Sequence, residues 1–237
     1  MTSENKYGQL ALVGSGEYLP SMLEVERSLL AGKAPRYVQI PTAATGESAS
    51  RVQYWVDLGR RQAERLGVES VPLVISNREQ ANDPSIVAQL HGAGLIYLSG
   101  GDPRLLVSTL SGTLVAEAIV EAWRNGTSLA GCSAGAMAIG GWVVGFRHIP
   151  PHSYEGLSIY PNLAIIPHFD RAIGRLPEFI TSRSFRPPEG ISLIGVDEET
   201  AIVGGQERFT VMGRGSAWLF EEGGLKQFKA RETIAID

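Results

Sequence analysis

The chain has 237 residues, 43% of them hydrophobic and 19% charged, which is enough apolar material to bury the core of one domain spanning residues 1–237. A formal net charge of -4 gives no attraction to nucleic acid or to an anionic membrane surface. No apolar run approaches the roughly 20 residues of a membrane helix, and the polar start Met1-Thr2-Ser3-Glu4-Asn5-Lys6 lacks the apolar stretch of a secretion signal.

Cys132 is the only cysteine, so neither an internal disulfide nor a Cys-rich metal site can form. The expected setting is the cytoplasm, with no metal, no cofactor, no nucleic acid and no membrane as partner.

Short apolar runs alternate with amphipathic stretches through residue 140, the pattern of βαβ units around a parallel sheet covered on both faces. Leu10 to Val13 reads as the first strand, ending at Gly14-Ser15-Gly16, and Pro20 suits the first turn of a helix to about Ala31. Tyr37 to Ile40 reads as the second strand, and a helix from about Ser48 to Leu66 stops at Gly67. Val68 to Val74 is a third strand, Asp83 and Pro84 open a helix to about His91, and Leu95 to Leu98 is a fourth strand ending at Gly100-Gly101-Asp102. Pro103 starts a further helical region. Leu114 to Arg124 has helical apolar spacing and stops at Asn125-Gly126.

Thr127 to Ala130 is a short strand, Gly131-Cys132-Ser133-Ala134-Gly135 follows, and Ala136 to Ile139 begins a helix. Beyond residue 140, Leu163 to Ile166 and Ile191 to Val196 are apolar strands. Ala201 to Val203, Phe209 to Met212, Ala217 to Phe220 and Leu225 to Lys229 are short runs between Gly-rich turns, a meander. Pro177 breaks any single helix over Asp170 to Ser184. The fold class is therefore α/β, a doubly wound mostly parallel sheet with helices on both faces and antiparallel strands added near the C-terminus.

Strand, turn and helix around Ser133 are the context that a nucleophile elbow of the form G-x-S-x-G requires, with small residues where the backbone is cramped. A serine there is the expected nucleophile. The Ala134 amide, at the positive end of the following helix, would face the oxyanion of a tetrahedral intermediate, and a second donor would come from the turn holding Gly101 and Asp102. Cys132 falls one position early for the flanking glycines and reads as a buried small hydrophobe.

A serine needs a base and a third group to fix the tautomer of that base. Of four histidines, His168 follows a strand and falls where active sites of open α/β sheets assemble. His148 and His152 lie in a Pro-containing loop and His91 near a helix end. Acids cluster at Asp197-Glu198-Glu199 after the strand to Val196. Alternation along a strand points Asp197 and Glu199 together and Glu198 away, without saying which side holds His168.

The ordered set Gly14-Ser15-Gly16-Glu17, Gly100-Gly101-Asp102, Gly131 to Ala136, Pro167-His168-Phe169 and Gly195 to Ala201 resembles the S51 peptidase family of cyanophycinase and α-aspartyl dipeptidase, with its class I glutamine-amidotransferase-like fold. The resemblance implies a Ser133-His168-Glu198 triad and a small peptide substrate with an aspartyl residue on the acyl side. Arg171 and Arg175 are local candidates for binding its carboxylate, since guanidinium pairs with carboxylate bidentately. Pro103 stands where cyanophycinases carry a substrate-contacting Gln, and Ala172-Ile173-Gly174 thins the arginines after the histidine, so a small aspartyl or isoaspartyl peptide is favoured over the polymer.

Leu19 replaces the third glycine of a G-x-G-x-x-G fingerprint, which argues against a dinucleotide site. An acyl transferase or amidase on the same elbow, and a binding or sensor protein on the same scaffold, are the competing functions. The late strands are compatible with a homodimer paired between subunits.

Overall fold

The computed structural model describes residues 7–145, 153–173, 187–205 and 207–236. Its larger sheet has eight strands. Five run parallel, in the order β1 (Leu10–Val13), β5 (Ser128–Cys132), β4 (Leu95–Leu98), β2 (Arg36–Ile40) and β3 (Glu69–Pro72). Alternate residues of these strands feed two apolar clusters on opposite faces. Leu10, Leu12, Ile96, Leu98 and Leu129 join one, and Ala11, Val13, Leu95, Tyr97 and Ala130 the other. Burial on both faces is why β1 and β4 read as unbroken apolar runs.

The helices begin and end where the sequence signals do. Ser48 caps α2 (Ala49–Leu66) by accepting from the Arg51 amide, and Gly67 closes it at φ 72°. Asp83 caps α3 (Pro84–Ala88), which stops short of His91. The stretch from Pro20 opens as a 3-10 turn before α1 (Leu23–Leu30). β3 is shorter than the expected Val68 to Val74; it is the edge strand and its last paired residue is Pro72, which has no N–H to donate.

The late strands divide between two sheets instead of forming one meander. β10 (Thr200–Gly205), β11 (Arg208–Gly213) and β14 (Thr233–Ala235) extend the large sheet antiparallel from β1. β8 (Leu163–Ile166), β9 (Ser192–Val196), β12 (Ser216–Glu221) and β13 (Gly224–Lys229) make a separate four-stranded sheet. Its own small core holds Ala164, Ile166, Phe169 and Leu193. β8 and β9 are parallel in register Ile166 to Gly195, so the segments after both leave the same end of this sheet. The remaining strands, β6 (Trp142–Val143) and β7 (Tyr154–Glu155), pair as a two-stranded ribbon. Pro177, His148 and His152 lie outside the described residues.

Between α1 and the sheet lies a polar pocket of side chains in an apolar setting. Glu26 is buried, and neither of its carboxyl oxygens has a hydrogen-bond partner among the described residues, nor does the hydroxyl of Tyr37 or Tyr97. Burial is the main cause that pushes the Glu26 carboxyl from its ordinary 4.5 up to about 8; Gln62 and Tyr37 face it and offset this only in part, short of hydrogen-bond geometry. The folded state thus keeps a proton that the unfolded chain releases above 4.5. Stability falls as pH rises from there and levels off above about 8. Glu26→Gln is expected to flatten this decline, raising stability at pH 8 to 9 by on the order of a few kcal/mol while changing little near pH 5. Thermal melts of both proteins across that range check it, and parallel curves would refute it.

Candidate active site

β5 sits between β1 and β4, with Val13 opposite Cys132 and Leu98 opposite Gly131. The segments after all three strands therefore converge around Ser133. Ser133 joins β5 to α6 (Ala134–Ile139) at φ 49° and ψ -107°, and its amide donates to the Val13 carbonyl at 2.9 Å. Such a backbone persists only where neighbours enforce it. A Cβ on Gly135 would stand 2.1 Å from the Leu98 carbonyl oxygen, and one on Gly131 would stand 2.5 Å from the Gly135 carbonyl carbon. The flanking glycines are thus a packing requirement of the turn.

The serine Oγ lies 3.1 Å from His168 Nε2, and His168 Nδ1 lies 2.8 Å from Glu198 Oε1. His168 follows β8 and Glu198 follows β9, so the parallel pairing of those strands brings them together. The next residue anchors the histidine: the Phe169 ring is buried against Trp218 and Phe220, with centroids 5.9 and 5.7 Å apart. Asp170 accepts the Glu198 backbone amide at 3.0 Å, and Arg171 pairs with Glu198 Oε2 at 2.8 Å. The first turn of α7 (Phe169–Ile173) thereby holds the carboxylate that holds the imidazole.

The neighbouring acids have other work. Asp197 accepts from the Ser216 amide at 2.8 Å and Trp218 Nε1 at 3.0 Å, and burial raises its carboxyl above the usual range. Glu199 pairs with Arg214 at 3.1 Å. Cys132 is buried and donates its thiol to Glu17 Oε2 at 2.8 Å; burial, then the Glu17 charge, raises its pKa well above that of a free thiol. A thiol so held is a poor nucleophile.

Two expectations are corrected. The Asp102 amide donates to the Ala43 carbonyl at 2.8 Å, and the Asp102 carboxylate caps α4 (Pro103–Leu110) through Arg104 and Leu105, so this residue has no amide to offer an oxyanion. The amides of Gly101 and Ala134 make no hydrogen bond among the described residues. Arg171 does not line the cleft: its side chain is 75% exposed and is taken up by Glu198. Arg175 lies outside the described residues.

A cavity of about 480 Å³ opens onto Ser133 and His168, with Glu17, Glu47, Arg51 and Trp55 among its walls. Arg51 is the guanidinium in its walls among the described residues. Glu47 holds the Nε at 3.1 Å, and the rings of Tyr54 and Trp55 lie 5.0 and 5.3 Å from its central carbon. No motif marked Arg51 in the sequence, where it reads as one charge on a long amphipathic helix. Glu17 follows the Gly14-Ser15-Gly16 turn, and nothing in that pattern gives it a role.

The sequence model of Peptidase family S51 matches residues 10–212. Cyanophycinase of Nostoc sp. (strain PCC 7120) is 30% identical over 203 residues, which cover 81% of this chain and 65% of that protein. Cyanophycinase of Synechococcus elongatus is 30% identical over 166 residues, 66% of this chain and 51% of that protein. The chain thus spans less than two thirds of the curated relatives it matches. A crystal structure of a peptidase from an acI-B1 Actinobacterium superposes with a TM-score of 0.87 at 41% identity, covering 98% of each chain. A putative peptidase E protein from Listeria monocytogenes EGD-e shares the fold, with a TM-score of 0.62 at 21% identity over 88% of this chain and all of its own.

The division of labour among the acids has a measurable consequence. Asp197→Ala leaves two donors unpaired and is expected to cost on the order of 2–4 kcal/mol of stability, whereas Glu198→Ala, partly exposed, is expected to cost about 1 kcal/mol or less. Urea unfolding of the two variants checks this, and the reverse order would show that the assignment of the acids is wrong.

Proposed function

This chain belongs to peptidase family S51, and we propose that it is a serine-type peptidase acting on small aspartyl or isoaspartyl peptides through Ser133, His168 and Glu198. The observation that carries the reading is the unbroken hydrogen-bonded line from Ser133 Oγ through His168 to Glu198, at 3.1 and 2.8 Å. Nε2 accepts the hydroxyl proton as Oγ attacks the scissile carbonyl, and Glu198 keeps the other ring proton on Nδ1 and stabilises the imidazolium that forms. The Gly101 and Ala134 amides receive the oxyanion. His168 then protonates the leaving amine, and water, deprotonated by the same nitrogen, releases the acyl group and regenerates Ser133.

The acidic substrate draws support from Arg51 in the cavity wall, where Glu47 takes only the Nε and the two terminal nitrogens have no partner among the described residues. Those two nitrogens match the two oxygens of a carboxylate. A second reading, cleavage of a β-aspartyl-arginine linkage, draws support from the cyanophycinase relatives.

Ser133 is expected to react with a fluorophosphonate probe, and Ser133→Ala to abolish labelling. Glu198→Gln is expected to lower kcat by on the order of 10²–10⁴-fold. A panel of α-aspartyl, β-aspartyl, β-aspartyl-arginine and neutral dipeptides, run with and without an added amine acceptor, separates the two substrates and separates hydrolysis from acyl transfer. Arg51→Ala is expected to raise KM for the preferred acidic peptide by about 10–100-fold with a smaller change for neutral ones. A wild-type protein that neither labels nor turns over any member overturns the peptidase reading and favours a binding protein on this scaffold.

A further inference from the structure

Glu17 is a buried carboxylate at the floor of the cleft, and the reaction sketched above gives it no part. It lies in the loop after β1 between Gly16 at φ 85° and Tyr18 at φ 64°. Tyr18 is almost wholly buried, with its hydroxyl 2.6 Å from Ser99 Oγ and its ring 5.4 Å from that of Tyr97. That anchor leaves the preceding side chain little choice of direction. Glu17 itself is 8% exposed, and its two oxygens are divided between two segments: Oε1 accepts the Gly100 amide at 2.9 Å and Oε2 accepts the Cys132 thiol at 2.8 Å. Gly100 immediately precedes Gly101, and Cys132 immediately precedes Ser133. A Cβ on Gly100 would stand 2.6 Å from Glu17 Oε1 and 3.5 Å from Ser133 Cβ, so the three segments meet at this point.

We propose that Glu17 is a positioning residue that braces the Gly100-Gly101 turn against the end of β5, holding the Gly101 amide at a fixed distance from Ser133 Oγ. The proposal rests on the reading of Ser133 as nucleophile and of the Gly101 amide as an oxyanion donor. A carboxylate suits the task because one group offers two acceptors with a fixed spread, each taking a donor from a different strand end. Without it the Gly100 amide loses its one partner among the described residues, and the turn is free to rotate the next peptide plane. Glutamine keeps a carbonyl acceptor for Gly100 at nearly the same length, whereas leucine keeps the volume and neither acceptor.

The test uses the full chain and a fluorophosphonate probe, whose phosphoryl oxygen occupies the oxyanion position. Glu17→Leu is expected to lower the limiting labelling rate by about 10–100-fold, less than the roughly 10²–10³-fold of losing an oxyanion donor outright because the Gly101 amide is displaced and not removed, with the half-saturating probe concentration within about twofold. Glu17→Gln is expected to recover most of that loss. Hydrogen exchange of the segment 99–102 should quicken in Glu17→Leu and stay near wild type in Glu17→Gln. If Glu17→Leu does not fold, Glu17→Ala, whose vacated space admits water, is judged by the same criteria. Wild-type labelling by folded Glu17→Leu or Glu17→Ala overturns the proposal, as does Glu17→Gln no better than the apolar variant, or a loss confined to half-saturation. Failure of the wild type to label at all overturns the hydrolase reading instead.

Discussion

The backbone at Ser133 is the constraint on which the rest of the site depends. A φ of 49° with ψ of -107° is a costly conformation for a residue with a side chain, and nothing local in Cys132-Ser133-Ala134 stabilises it. It is imposed by packing. β5 is hydrogen-bonded on both sides, its serine amide is fixed to Val13, and α6 approaches so closely that Gly135 lies against the Leu98 carbonyl. The chain has room to turn only one way, and that way presents Oγ to the cleft. The sheet's parallel order does the remainder, because β1, β4 and β5 all deliver their C-terminal segments to the same edge.

Around that fixed point the other groups are held by layers of support. His168 is fixed by strand pairing and by the Phe169 anchor, and Glu198 by Asp170 at its backbone and Arg171 at its free oxygen. Phe169, Asp170 and Arg171 follow His168 directly, so the short segment from Pro167 to Arg171 supplies the imidazole, its anchor and two fasteners for the Glu198 carboxylate. Second-tier contacts of this kind set geometry more than stability, since exposed ion pairs contribute little to folding.

Much of this was legible in the sequence, and the gaps have physical causes. The buried strands of the large sheet announced themselves because two-sided burial keeps their runs mostly apolar, with few exceptions such as Gln39 and Ser128, and Ser48, Gly67 and Asp83-Pro84 marked helix ends by hydrogen bonding and φ. The role of Asp102 was available in principle: Asp102-Pro103 repeats the Asp83-Pro84 signal, and a capping aspartate is committed to its own helix. Strand alternation could not choose among Asp197, Glu198 and Glu199, because the chain leaves β9 at Val196 and the regular period ends there. The second sheet was hidden because β8 and β12 look like any strand in sequence, and pairing partners are long-range information. Arg51 escaped for the same reason: an 18-residue helix carries it to the cleft from a segment with no motif.

The contact between Ser133 Oγ and His168 Nε2 crosses from one sheet to another. The serine belongs to the eight-stranded layer and the imidazole to the four-stranded one, which has its own apolar centre. Since β-ladders resist shear within a layer and side-chain packing between layers resists it less, an ångström of slip along this seam would part the two atoms while leaving every ladder bond intact. The aromatic stack of Phe169 on Trp218 and Phe220 lies inside the four-stranded layer and keeps the imidazole in step with it; the distance from Oγ to Nε2 is therefore left to the shared core, where Leu163, Ile165, Ile194 and Val196 join Leu12 and Leu98 in one apolar cluster.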